Sequence, residues 1–411
     1  MANFMSRLIG SGALAGLVAA AAHGQSHPPV EIDQLQTGDL WSEMEVHVDG
    51  TADEASAAAT SVGNTAAALV NSGDITFTAR QEMQGDSMAR ARMSGYAVSG
   101  AAVATTTSYG NAASGGSWDG NTYYRAEQLM TGDTTARTEL DMEGVNSLGV
   151  ATTAIANVST PSAENGDNRA YQEQRVRGSV DAVSDVDLCC NGTDGVVVTT
   201  AGGNAVSSSG STSNVINGAV QSTAAGERIR AVGNVYAGDA TQITAATTAS
   251  GNSYTVANEW GFTTLGRDGS ELYQGNQSEI DAQTWVTYDE YRGVNTASAY
   301  GVGNSALVSN IGSDTHLYAI QENYATVGSQ ASFTGNSTTG GVAVATATSI
   351  GNAATVSLCN TCGTAAVAGA LNQYNAGSVY SIGQMSVGSG SAVHGAATAI
   401  GNSATYQSGG H

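Results

Sequence analysis

The feature that most constrains this chain is a recurring asparagine. It stands in Val62-Gly63-Asn64, Tyr109-Gly110-Asn111, Ile155-Ala156-Asn157, Gly202-Gly203-Asn204, Ser250-Gly251-Asn252, Val302-Gly303-Asn304, Ile350-Gly351-Asn352 and Ile400-Gly401-Asn402. Successive asparagines are 47, 46, 47, 48, 52, 48 and 50 residues apart, and glycine precedes seven of the eight. A fixed period of this length is the signature of stacked repeats, each burying its face against the next. A second motif keeps the rhythm: Gln, three residues, then Gly, in Gln34–Gly38, Gln81–Gly85, Gln128–Gly132, Gln174–Gly178 and Gln373–Gly377. The Gln221–Gly226 copy is looser by one residue, and the motif fades near 277 and 328.

The unit reads as β-strand. Val342, Val344, Thr346, Thr348 and Ile350 alternate with Ala343, Ala345, Ala347 and Ser349, a two-residue period rich in β-branched side chains. No helical period is sustained beyond the leader. Gly-Asn tolerates positive φ, so the pairs Gly63, Asn64, Gly110, Asn111, Gly203, Asn204, Gly251, Asn252, Gly303, Asn304, Gly351, Asn352, Gly401 and Asn402, with Asn157, are expected to turn the chain. Each Asn either bonds along the axis to its counterpart in the next unit or merely suits the turn. The expected fold is an all-β, elongated parallel β-solenoid of eight ~48-residue units, each wound as about two coils and together roughly 75 Å long. The expected division is a signal peptide over 1–24, a short linker over 25–33 and the repeat region over 34–411.

Composition narrows the function. There are 53 glycines, 3 prolines and no lysine, and the net charge is −22. A nucleic-acid binder needs a basic footprint, so that class is excluded; an acidic surface attracts cations or a cationic polymer. The core must be thin and built from small side chains. Arg7, the apolar run Leu8–Ala22 and the small residues around Ala22-His23-Gly24 have the parts of a secretory leader, too short to span a bilayer. The expected destination is therefore outside the cytoplasm, at the outer membrane or cell surface. There Cys189, Cys190, Cys359 and Cys362 read as disulfide formers rather than zinc ligands.

No His stands in a ligand spacing and no nucleophile elbow occurs, so no catalytic residue, cofactor or metal is assigned and the chain reads as a non-enzyme. A carbohydrate-active enzyme on a β-helix is the weakest alternative, since paired carboxylates are always available in an acidic chain. Asp39, Asp86 and Asp133, each after a motif glycine, read as solvated turn residues rather than calcium ligands. Arg80, Arg90, Arg92, Arg125, Arg137, Arg169, Arg175 and Arg177 are expected to neutralise an acidic face. Tyr123, Tyr124, Tyr288 and Tyr291 are candidates to stack on sugar rings where exposed.

Three resemblances attach to these residues. Gln373-Tyr-Asn-Ala-Gly377 with Ile382-Gly-Gln384 resembles curlin-type repeats, and Thr398-Ala-Ile-Gly-Asn-Ser-Ala404 is similar to the head repeats of trimeric autotransporter adhesins. The leader, the acidic start after Pro28-Pro29, the long repeats and the length resemble the holdfast attachment protein D family of stalked alphaproteobacteria. That resemblance implies a surface protein tethering a holdfast-type polysaccharide to the envelope, with a curlin-like partner protein and an outer-membrane lipoprotein secretion channel. A curli-like, self-associating fibre subunit is the alternative.

Overall fold

The computed structural model describes residues 29–190, 192–266, 271–360 and 365–410; the leader assigned to 1–24 and Cys362 lie outside them. The first unit consists of three strands, β1 (Val30–Gln36), β2 (Leu40–Ala52) and β3 (Ala55–Val70). The second repeats them as β4 (Ile75–Met83) and one long strand, β5 (Ser87–Ser117), which covers both later positions. β1 pairs in parallel with β4, and β2 and β3 with successive parts of β5. Every unit therefore offers three faces: face A (β1, β4), face B1 (β2, first part of β5) and face B2 (β3, rest of β5). All pairings are parallel, and face A forms one sheet while B1 and B2 merge into a second. This is the all-β parallel solenoid expected from the period.

The coil count differs from expectation. Val30 pairs with Phe77, Leu40 with Ser87 and Ala55 with Ala102, so partners lie one whole repeat apart. Each unit is one wide coil and not two narrow ones, because its three faces together consume the full repeat. Eight coils at ~4.8 Å give a stack of roughly 38 Å.

Inside, the alternation runs opposite to the usual amphipathic strand. Ala343, Ala345, Ala347 and Ser349 point inward and are buried, while the β-branched residues between them face outward. Facing sheets are close, so small side chains fill the gap. Ala89, Ala136, Ala182, Ala231 and Ala282 stack as one buried column through five coils. Hydroxyls fill another seam: Thr106, Thr138, Thr152, Ser184 and Thr199 form a buried zigzag of hydrogen bonds at 2.6–2.7 Å between faces B1 and B2.

The Gly-Asn pairs are not turns. They lie inside strands such as β3 and β5, and none of their residues adopts positive φ. At each pair the in–out phase of the strand flips: Ala104, Thr106 and Ser108 point in before Gly110, and Ala113 after Asn111. Two consecutive inward residues bring the backbone against the next coil. A Cβ on Gly303 would sit 2.5 Å from the Gly351 carbonyl oxygen, and one on Gly251 equally meets Asn276 Oδ1. Glycine is thus required by close approach rather than by left-handed backbone.

The asparagines form one unbroken ladder. Asn64 Nδ2 donates to Asn111 Oδ1, and the same bond, at 2.8–2.9 Å, continues through Asn157, Asn204, Asn252, Asn304 and Asn352 to Asn402. The second N–H of each donates to a face A carbonyl, as Asn204 does to Ser222. A glutamine ladder runs beside it with opposite polarity. Gln81 Nε2 donates back to Gln34 Oε1, and the series continues through Gln128, Gln174, Gln221, Gln274 and Gln321 to Gln373. Each glutamine also donates to a face B2 carbonyl, as Gln174 does to Ala205. The two ladders therefore stitch the coils axially and the two sheets laterally.

Replacing Asn204 by leucine leaves one Asn157 N–H and the Asn252 Oδ1 buried without their ladder partners. Each orphan costs about 1–3 kcal/mol, so Asn204→Leu is expected to lower the unfolding free energy by roughly 2–5 kcal/mol, measured by urea titration followed by circular dichroism. A loss near zero would show that the ladder does not hold the stack.

Candidate functional site

The aspartates after the motif glycines serve the stack. Asp39 Oδ1 accepts the Asp86 backbone N–H at 2.9 Å, Asp86 accepts that of Asp133 at 2.8 Å, and Asp133 that of Ser179 at 2.8 Å. Among the described residues no three His, Cys, Asp or Glu side chains gather in a metal-holding arrangement. Cys189 and Cys190 are joined to each other just beyond the strand Val180–Leu188. Cys359 forms no disulfide among the described residues, and Cys362 lies outside them.

The arginines gather on two outer faces. On face B1, Arg90 Nη2 lies 2.8 Å from both Glu139 oxygens, Arg92 Nε 2.8 Å from Oε2 and Arg137 Nε 2.7 Å from Oε1. Arg137 also reaches Asp185 at 3.0 Å. Partial burial works against the ionised Glu139, but hydrogen bonds from Arg90 and Arg92 and the charge of Arg137 outweigh it and hold its carboxyl below the ordinary glutamate value. This network clamps coils 2, 3 and 4 together and leaves no unpaired cation at its centre.

Face A carries a different arrangement. Tyr123 and Arg125 point outward from Thr122–Met130, and Arg169 and Tyr171 from Asn168–Val176. The registers Tyr123↔Arg169 and Arg125↔Tyr171 make these four a two-by-two checkerboard of aromatic rings and guanidinium groups. Arg125 lies over the Tyr171 ring, 5.8 Å from its centroid. Arg125 also pairs with Glu127 at 2.7 Å and Arg169 with Asp167 at 3.2 Å, so the patch is locally neutral. Thr78 and Ile216 border a shallow groove over it. Partial burial, followed by the charge of Glu173, raises the Tyr171 phenol pKa, so the ring keeps its O–H as a donor at neutral pH. An exposed ring flanked by planar donors can stack on the apolar face of a pyranose while the guanidinium groups meet its hydroxyls.

Of the four tyrosines singled out from the sequence, only Tyr123 is available, at 42% exposure. Tyr124, Tyr288 and Tyr291 are buried at 3%, 2% and 0%. Tyr124 packs on Phe77 with ring centroids 5.3 Å apart, and Tyr288 and Tyr291 pack edge-on against Phe333. Their neighbours one position away explain the difference, since strand parity sends Tyr123 out and Tyr124 in. Tyr171 was missed, yet it stands one repeat after Arg125, as Arg169 does after Tyr123, and that shared phase could have found it.

Among the described residues no helix is long and apolar enough to cross a membrane. Glu139 has a depressed folded pKa, so its stabilisation is present above the unfolded glutamate value of about 4.3 and is lost as pH falls through the folded value. Glu139→Gln is expected to lower the melting temperature at pH 7, with the gap to the parent narrowing as pH falls below the ordinary glutamate range; a gap that persists unchanged at pH 3 would refute the charge-based account.

The family model described as holdfast attachment protein D matches residues 48–326, about two thirds of the chain. No curated protein and no solved structure matches the chain.

Proposed function

The chain belongs to the holdfast attachment protein D family, with a role in holdfast attachment, and from that premise we propose that it is a secreted cell-surface anchor whose face A binds a polysaccharide adhesin and tethers it to the envelope. The observation that carries this reading is the locally neutral checkerboard of exposed Tyr123, Arg125 and Arg169 with half-buried Tyr171, on a sheet held by the ladders beneath. A regular sheet fixes four ligand-facing groups without loop ordering, which reduces the entropic cost of binding. Neutrality suits a glycan whose hydroxyls, rather than charges, are recognised, and the net charge of −22 disfavours polyanions.

The route to the surface follows from the leader-like segment and from the family, and includes an outer-membrane lipoprotein channel and a curlin-like partner as proposed partners. No catalytic role is proposed: the tyrosines and arginines of face A are binding groups, and the carboxylates nearby are engaged by arginine.

The experiment is a complementation assay in a strain lacking the protein. Tyr123→Ala/Tyr171→Ala, displayed at parental surface level, is expected to shed most of the adhesin into the medium, because each lost aromatic contact removes about 1–3 kcal/mol of stacking and burial. Full adhesin retention by the displayed double variant would refute face A as the tether.

A further inference from the structure

The polarity of the two amide ladders makes the ends of the stack complementary. At coil 8, Asn402 accepts from Asn352, but its own amide makes only a 3.5 Å contact with the Gln373 carbonyl of the same coil. Gln373 donates to Gln321 and Ser403, and its Oε1 receives no hydrogen bond among the described residues. At coil 1, among the described residues, Asn64 Oδ1 receives none, and Gln34 Nε2 spends one N–H on Thr65 and makes no second bond. One end thus offers an asparagine donor and a glutamine acceptor; the other offers an asparagine acceptor and a glutamine donor.

The strands at these ends are paired on one side only. Val367–Asn375, Val379–Val387 and Ala392–Gly410 contact coil 7, and β1, β2 and β3 contact coil 2. No described residue covers the outer edge of either. Natural edge strands are blunted by charge or proline. Coil 1 is so blunted: residues 30–70 hold Glu31, Asp33, Asp39, Glu43, Glu45, Asp49, Asp53 and Glu54, with no Arg or Lys. Coil 8 is not, because no Asp, Glu, Lys, Arg or Pro follows Glu322. Two coil 1 edges would bring eight carboxylates against eight, and two coil 8 edges would oppose donor to donor. A coil 8 edge against a coil 1 edge meets neither obstacle.

The register also matches the exposed apolar side chains. The column that contains Trp41 continues through Met88, Thr135, Asp181, Arg230, Asp281 and Gly328 to Tyr380. Trp41 and Tyr380, exposed at 59% and 40%, would therefore become axial neighbours across such a junction. So would Leu35 and Tyr374, each one residue past its ladder glutamine and exposed at 61% and 53%.

The geometry points to axial, head-to-tail association with a second copy of this chain, in which Asn402 donates to Asn64 of the second copy and Gln34 of that copy donates to Gln373. The junction adds one more parallel coil-on-coil contact and continues both ladders. It leaves the face A patch on coils 3 and 4 free, so it is independent of glycan binding.

Sedimentation velocity and negative-stain microscopy of the purified secreted chain test this. The parent is expected to form concentration-dependent rods of constant width. Tyr380→Asp, which puts a carboxylate at the edge facing coil 1, is expected to raise the concentration for half-association roughly tenfold or more, because an unpaired charge is forced into a closing interface. Asn402→Asp, which turns the ladder donor into an acceptor, is expected to act in the same direction, while Tyr96→Asp, on the side of coil 2, leaves association unchanged. Circular dichroism confirms that each variant is folded. A parent that stays monomeric at all concentrations, as it would if residues outside the described range capped an edge, overturns the proposal, and so does association that Tyr380→Asp and Asn402→Asp leave unaltered.

Discussion

A buried side-chain amide carries two donors and an acceptor, and in a dry interior each must find a partner. That constraint organises this molecule. Inside the stack the partners of one amide are the equivalent amide a coil away and a carbonyl of the facing sheet. Both are reachable only when the coils are in register, so a slip of one residue would turn the amides outward and strand two ladders together. Alanine and valine columns can slide with modest loss; the amide columns cannot. Register, coil spacing and the separation between faces A and B2 all follow from satisfying these groups.

The sixth coil shows how strongly the ladders govern register. Face A is interrupted there between Thr263–Leu265 and Leu272–Asn276. Asn217 pairs with Leu265, 48 residues on, whereas Ala219 pairs with Leu272, 53 on. The register offset thus grows by five residues between the two short strands. Pairing nevertheless resumes with Gln274 on Gln221 and Gln321, and Asn304 bonds to Asn352 and accepts from Asn252. Length variation is absorbed in connections, where closure entropy rises slowly with length, and in strand bulges such as those at Val98–Ala101 and Thr193–Asp194, while the positions that carry amides return to phase.

Much of this was legible in the sequence. The asparagine period and the two-residue alternation identify an all-β repeat, and the axial role of Asn64 to Asn402 follows once one asks why an amide should recur. The number of windings was not legible, because a 47-residue period fits two short coils or one wide coil equally well, and only the pairing of Val30 with Phe77 separates them. Gln274 and Gln321 were hidden because the glycine four residues later is absent; they stand about thirty residues before Asn304 and Asn352, as Gln34 and Gln81 do before Asn64 and Asn111. The role of Gly-Asn was misread as a turn because glycine serves close approach as readily as positive φ, and composition does not distinguish the two. The exposed patch depends on strand parity at a single residue, Tyr123 against Tyr124, which a phase flip elsewhere in the strand can reverse.

Charge is distributed unevenly along the axis, and the two proposed surfaces divide accordingly. Carboxylates and arginines interlock on coils 1 to 6, where they satisfy one another across coils, as around Glu139 and Arg230. Such a surface repels other acidic chains and keeps lateral sheet-to-sheet adhesion low. The last coil has no Asp, Glu, Lys or Arg to play that part, so backbone edges and polar side chains govern what it meets. A binding patch set on the side of coils 3 and 4 and an association edge at coil 8 make no use of the same atoms. A solenoid can therefore extend along its axis while holding a polymer at its flank, and the ladder that fixes the register of one coil also aligns the flanking patch with that of every copy added.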